Sequence, residues 1–168
     1  GSFHFCGTWG DPVMNKDLTN MVEYILKNSR AYVTIDTNGS IRDEEWWWNL
    51  GILGGKRLRV TFAVDGLDQK MHSHYRRNTN LSKVLDNMEA LSNTMASIYT
   101  RTIVFKHNEK YLEQIHNMVK DHGASRSWFT PSDRWYKDSG GPFVFNFTDA
   151  DGKEQKFEKS EIVNEYQM

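Results

Sequence analysis

Apolar residues recur along this chain with two alternating periods, one of about two residues and one of about 3.6. Phe3-His4-Phe5-Cys6-Gly7-Thr8 reads as a short strand. Asn15 is placed to cap a helix carrying Leu18, Met21, Val22, Ile25 and Leu26 on one face. Residues 31–36 alternate and are rich in β-branched side chains, which predicts a strand. Asp43-Glu44-Glu45 sets acids in the first turn of a helix bearing Trp46, Trp47, Leu50 and Leu53, and Gly54-Gly55 stops it. Residues 58–64 predict the next strand. Val84, Leu85, Met88, Leu91 and Met95 mark a third helix, and residues 98–105 another strand. Asn108 is positioned to cap a fourth helix with Leu112, Ile115, Met118 and Val119, closed by Gly123. Residues 126–130 make a fifth strand.

Strand and helix thus alternate four times, and a strand ends the series. Helices between strands imply parallel pairing with right-handed crossovers. The predicted class is α/β, either a doubly wound sheet or a partial (β/α) barrel of parallel strands. The tail breaks the pattern. Residues 143–147 alternate strongly, Asp149-Ala150-Asp151-Gly152 is a turn signal, and a polar strand follows at 155–157. A calcium loop of the EF-hand kind needs glycine at its sixth position, and here it falls at the fourth, so a hairpin is expected. Ser160 with Glu161 predicts a short terminal helix. The expected organisation is a main body over 3–136 and a hairpin/helix extension over 137–168, joined by a loop at 137–141.

Composition narrows the functions. The 168 residues suit one domain. A net charge of −1 leaves no electrostatic footprint for nucleic acid or an anionic membrane. No apolar run is long enough to span a bilayer, and no leader pattern opens the chain, so a cytoplasmic location is expected. The single cysteine, Cys6, excludes an internal disulfide and a cysteine-cluster metal site.

The positions of the polar motifs carry more information. Each predicted strand is followed by one: Thr8-Trp9-Gly10-Asp11-Pro12, Thr37-Asn38-Gly39-Ser40, Asp65-Gly66, Lys106-His107-Asn108-Glu109 and Pro131-Ser132-Asp133. In a parallel sheet these share one rim, where α/β folds build ligand sites. Ordinary turn and cap chemistry accounts for Asn38-Gly39 and Asn108. Gly10-Asp11-Pro12 and Asp65-Gly66 ask for more. There an acid sits beside permissive or rigid backbone, so carbonyls and a carboxylate can converge on a cation.

These motifs, with Tyr75-Arg76-Arg77-Asn78 and Val104-Phe105, resemble the core of radical S-adenosylmethionine enzymes over residues 3 to about 135. The likeness is to the group in marine bacteria and phages, near the SPASM/twitch-type members. It implies a bound S-adenosylmethionine, a [4Fe–4S] cluster and a 5′-deoxyadenosyl radical that abstracts hydrogen from substrate. By this resemblance Gly10-Asp11-Pro12 occupies the place of a Gly-Gly-Glu-like motif that holds the cofactor's methionyl ammonium. Thr37-Asn38 matches a Thr-Asn-Gly near the cofactor. Phe62-Ala63-Val64-Asp65-Gly66 matches a Phe-Ser-Ile-Asp-Gly stretch, with Ala63 in place of the serine. Tyr75-Arg76 matches a pair whose arginine meets the cofactor carboxylate. The expected cofactor-binding residues are therefore Gly10, Asp11, Pro12, Thr37, Asn38, Asp65 and Arg76. No catalytic residue and no metal ligand is assigned.

One departure bears on the chemistry. The family holds its cluster in a Cys-x3-Cys-x2-Cys loop, and a cluster needs thiolates; this sequence has one cysteine. The expectation is a chain truncated before its second strand, with the cluster loop upstream and the fragment inactive alone. Cys6 reads as a small buried strand residue. The implied partner is an unidentified substrate, a peptide or a small molecule. An unpaired first strand would favour self-association. Two other functions compete: a noncatalytic ligand-binding or interaction module, and a hydrolase using Asp11, Asp65 and His107.

The remaining candidates have plainer readings. His72-Ser73-His74 falls in a predicted loop without a third ligand, so solvated histidines are expected. His116 and His122 read as solvated too. His107 suits either a substrate contact or helix entry. Of Trp46-Trp47-Trp48, at least one must turn away from the core. Arg76, Arg77 and Lys106 suit an anion site or surface ion pairs.

Overall fold

The computed structural model describes residues 1–7, 10–132, 144–149, 151–162 and 164–168. Its strands are β1 (Ser2–Phe5), β2 (Tyr32–Thr37), β3 (Leu58–Ala63), β4 (Ser97–Val104), β5 (Arg126–Pro131), β6 (Val144–Thr148), β7 (Glu154–Glu158) and β8 (Tyr166–Gln167). Its helices are α1 (Leu18–Asn28), α2 (Glu44–Gly54), α3 (Gln69–Tyr75), α4 (Leu81–Ser92) and α5 (Leu112–Asp121).

One sheet runs in the order β1-β2-β3-β4-β5-β8. Its first five strands are parallel, and β8 closes on β5 antiparallel, with Phe129 opposite Tyr166. Among the described residues β1 pairs within the sheet only with β2 and forms one edge. β6 and β7 make a separate antiparallel hairpin. This is the α/β partial barrel with a C-terminal hairpin that the alternation predicts.

The two faces of the sheet differ, and that difference builds the site. Val33, Ile35, Leu58, Val60, Phe62, Ile98 and Val104 are buried in the apolar core. Their strand neighbours Asp36, Thr61, Ala63, Arg101 and Ile103 line a cavity instead. Period-two alternation therefore sends the apolar set into the core and leaves a largely polar concave face.

Local chemistry explains the helices. Asp43 caps α2 by accepting the Trp46 N–H at 2.9 Å. Trp47 is fully buried against Phe62, its indole N–H donating to the Ile41 carbonyl, while Trp48 stays exposed. Met21 and Met95, assigned to helical core faces, are exposed; Val22 and Leu91 take the inward positions. Asn15 does not cap α1 directly: Asp17 holds the N-cap position, and Asn15 Oδ1 accepts the Asp17 N–H.

Two expectations are corrected. His72-Ser73-His74, read as a loop, lies within α3, capped by Asp68 accepting the Met71 N–H at 2.7 Å. A helix this short shows no repeating apolar stripe; its one buried residue is His72. The terminal helix at Ser160-Glu161 is absent from the described residues. There the Ser160 hydroxyl and the Glu161 N–H both donate to Glu109 Oε2, which ties the segment to the body, and the chain then enters β8.

Candidate functional site

The carboxyl ends of β1 to β4 meet at one rim. Asp11 anchors its first part. Its Oδ1 accepts the Val13 N–H at 3.1 Å, its Oδ2 accepts the Asn38 N–H at 2.6 Å, and the Thr37 hydroxyl donates at 2.9 Å to Oδ2. The Thr37 oxygen in turn accepts the Gly39 N–H. One carboxylate thus joins the loop after β1 to the end of β2. Three donors occupy three of its roughly four lone-pair sites. Pro12 opens a single 3₁₀ turn behind Asp11, a position where its missing N–H costs nothing. A Cβ on Gly7 would lie 1.7 Å from the Gly10 carbonyl oxygen, so this loop closes only as backbone against backbone.

Asp65 anchors the second part from below. It is fully buried, with Oδ2 accepting Arg76 Nε–H at 2.6 Å and Oδ1 accepting the Ile103 N–H at 2.7 Å. Burial pushes its carboxyl above the ordinary value, against the pull of the Arg76 guanidinium and the Ile103 amide. Its backbone is held too: the N–H donates to His72 Nδ1 at 3.2 Å, and the carbonyl accepts Asn108 Nδ2–H at 3.0 Å. Arg76 also donates from Nη1 to Asn38 Oδ1 at 3.0 Å, which connects the two anchors.

The rim encloses a cavity of about 430 Å³. Gly10, Asp11, Pro12, Thr37, Asn38 and Arg76 all line it, and Asp65 sits beneath, behind Arg76. The structure therefore brings the seven nominated residues together. Asp36 and Arg101 from the concave face add one acid and one base. Two acids and two guanidiniums facing one space suit a zwitterion.

Several nominations move. Cys6 is exposed, not buried, because β1 ends at Phe5 on the sheet edge and Cys6 opens onto the cavity. Lys106 does not join Arg76 and Arg77: it pairs with Glu109 at 2.8 Å and with Glu161. Those two acids raise its ammonium pKa. His72 is fully buried rather than solvated, and burial, with Arg76 nearby, pushes its pKa down to about 4. His116 bonds Ser127 and His122 bonds the Met118 carbonyl, both half-buried. His107 is drawn into an aromatic cluster beside His74, ring centres 4.5 Å apart, and its pKa falls to about 4, mainly through burial. Asp11 and Asp65 spend their carboxylates on the partners above, and neither is bonded to His107, so the three do not form the hydrogen-bonded set that the hydrolase reading requires.

Asn108, read only as a helix cap, is a positioning residue that the sequence reading missed. Its buried side chain makes no cap bond; it accepts the Phe105 N–H and donates to the Asp65 and Ile103 carbonyls. Its place in the polar motif that follows β4 was the available signal.

An alternating parallel sheet with polar anchors at its carboxyl rim defines a partial (β/α) barrel, with its polar groups at the rim where this architecture builds ligand sites. The profile described as the Radical SAM superfamily matches residues 2–119, and the chain belongs to that superfamily. Among solved structures, anSMEcpe with bound AdoMet is similar at 20% identity and a TM-score of 0.63, over 83% of this chain and 38% of that one. Native anSMEcpe with bound AdoMet and Kp18Cys peptide gives the same identity and TM-score over 83% of this chain and 40% of that one. Archaeal TYW1 is similar at 9% identity and a TM-score of 0.57, over 93% of this chain and 56% of that one. At such identities the likeness is one of fold. The chain spans about two fifths of anSMEcpe and just over half of TYW1. No curated protein matches it by sequence.

The two groups the family implies fit differently. The cavity's mixed charges and its glycine backbone suit S-adenosylmethionine, which carries an ammonium, a carboxylate and a sulfonium. A [4Fe–4S] cluster does not fit: the sequence has one cysteine, and no three metal-ligating side chains gather among the described residues. No helix among the described residues is long and apolar enough to cross a membrane.

Proposed function

We propose that this chain is the S-adenosylmethionine-holding part of a radical S-adenosylmethionine enzyme acting in the cytoplasm on a peptide or small molecule. The observation that carries this reading is Arg76, fixed by Asp65 and Asn38 at the wall of a cavity bearing charges of both signs. Two of its five N–H donors are used by those bonds, and the others remain for the methionyl carboxylate. The ammonium needs acceptors only, which the Gly10 backbone and the remaining lone pair of Asp11 supply. Thr37 and Asn38 hold the rim in register through Asp11. Gly39 keeps the backbone close beneath it. When bound, S-adenosylmethionine supplies hydrogen-atom abstraction by a carbon radical in this superfamily. No step of its cleavage is assigned to this chain, because the thiolates for a cluster are not in the sequence. The chain by itself binds the cofactor and does not turn it over.

Titration calorimetry with S-adenosylmethionine tests this reading. Binding to the full chain, lost in Arg76→Ala, is the expected result. Absence of binding, or undiminished affinity in the variant, overturns it. Anaerobic reconstitution with iron and sulfide checks the second half: a brown product with cluster absorption would refute the lack of ligands. The missing thiolates also favour a second reading, a noncatalytic binding module. An open reading frame that continues upstream of Phe3 into a three-cysteine loop decides for the enzyme.

A further inference from the structure

A second cavity, of about 500 Å³, opens beside the first and shares Asn38 and Arg76 with it. The β6–β7 hairpin supplies part of its wall through Phe147 and Phe157. Those rings stack at 4.4 Å, and Phe157 is buried against Phe105 and Tyr75. The wall is thus a fixed aromatic surface. Among the described residues no acid lines this cavity, whereas Asp11 and Asp36 line the first.

Arg77 is its distinctive member. Its guanidinium carbon lies 4.3 Å from the centre of the Phe147 ring. Stacking occupies the flat face of a guanidinium and leaves the in-plane N–H groups pointing outward. Among the described residues the Arg77 side chain makes no hydrogen bond and no ion pair. Arg76 is already balanced by Asp65, so Arg77 leaves the described lining with a net positive charge. Positive edge donors beside a stacked aromatic pair match an oxyanion attached to a flat apolar group.

The geometry points to this second cavity as the substrate seat, taking a molecule with a carboxylate or phosphate beside a ring or similar flat group, anchored by Arg77. This rests on the reading that the first cavity holds S-adenosylmethionine, since the shared Asn38 and Arg76 then place the two ligands side by side. Arg77 and Phe147 take no part in the first cavity.

The test uses the full chain and four probes of one shape: 3-phenylpropionate, phenyl phosphate, 3-phenylpropan-1-ol and phenethylamine. Binding is followed by ligand-observed NMR, and S-adenosylhomocysteine binding is measured on the same samples. At least one oxyanion probe is expected to bind about tenfold or more tightly than the alcohol and the amine. The tighter of the two oxyanions identifies the source. Arg77→Gln should cost about tenfold, Arg77→Lys should restore part of it, and neither should alter S-adenosylhomocysteine binding. Equal binding of the amine, no oxyanion binding, or indifference to Arg77→Gln overturns the proposal. If an oxyanion binds through Arg77 while S-adenosylhomocysteine does not bind, the cofactor reading fails and the oxyanion site stands. The reverse result removes the oxyanion site alone.

Discussion

Arg76 Nε donates to Asp65 Oδ2 at 2.6 Å, and that bond decides which way the guanidinium faces. Asp65 is itself fixed on every side, by Ile103, His72 and Asn108, so the pair has little freedom to rotate. Removing one partner of a buried pair leaves the other charge uncompensated. Asp65→Ala should therefore lower the unfolding free energy by about 3–5 kcal/mol in urea denaturation. Asp65→Asn keeps the shape and should unfold at a urea concentration between the two. Arg76 loses its charged partner in that variant, and affinity for S-adenosylhomocysteine should drop. An Asp65→Asn protein with native stability and native affinity would show that the pair orients nothing.

Asp11 offers a contrast, because its work is between loops. Asp11→Ala removes one acceptor from three donors, on Val13, Thr37 and Asn38. A loss of about 2–4 kcal/mol is expected, since hydrogen bonds to a charged acceptor are each worth about 1.5–3 and the site is partly open to water. Asp11→Asn should also destabilise, because its amide nitrogen must face an N–H or O–H donor. Urea midpoints of the two variants check this; an unchanged midpoint for both would mean water replaces the carboxylate at no cost.

The fold was legible because its signals are local and periodic. Ile35, Val60 and Phe62 alternate with Asp36, Thr61 and Ala63, and both faces follow directly. Part of the rim was legible for the same reason, since motifs at strand ends must share one edge of a parallel sheet. What escaped depends on long-range pairing. Nothing around Lys106 shows that Glu161, far along the chain, will neutralise it. Cys6 looked like a core residue because its neighbours do, but an edge strand that ends early exposes it. Asn108 has the sequence context of a cap and serves instead as a buried bridge to Asp65. The second cavity exists only because the hairpin returns to the rim, a placement with no trace in local sequence.

Gly39 gives a sharp steric prediction. Its φ is +77°, and a Cβ there would lie 2.5 Å from a ring carbon of Phe62 and 3.1 Å from Val84. Its carbonyl also accepts a 2.7 Å bond from buried Asn87. Backbone strain and overpacking act together, so Gly39→Ala should cost at least about 2 kcal/mol. The rim should loosen at the same time, visible as faster amide exchange at Asn38. A variant that matches the parent in thermal melting would rule out the close approach.

His72 makes the stability depend on pH. It is fully buried, accepts the Asp65 N–H on Nδ1, and its Nε2 has no partner among the described residues. Its pKa falls from the usual 6.5 to about 4, first through burial and then through the positive charge of Arg76. Between those values the unfolded chain holds a proton that the folded chain lacks. Stability from this group is therefore complete above pH 6.5 and is lost as pH falls toward 4. Over that window the loss amounts to about 3 kcal/mol. His107, lowered to about 4 as well, acts in the same direction. Carboxylates begin to titrate at the acid end, so the informative quantity is a difference between two proteins. His72→Gln retains an acceptor for the Asp65 N–H and has no proton to gain. Its urea midpoint should fall less steeply than the parent's between pH 6.5 and 4, by the equivalent of about one proton. Parallel profiles for the two proteins would show that His72 is not held neutral in the fold.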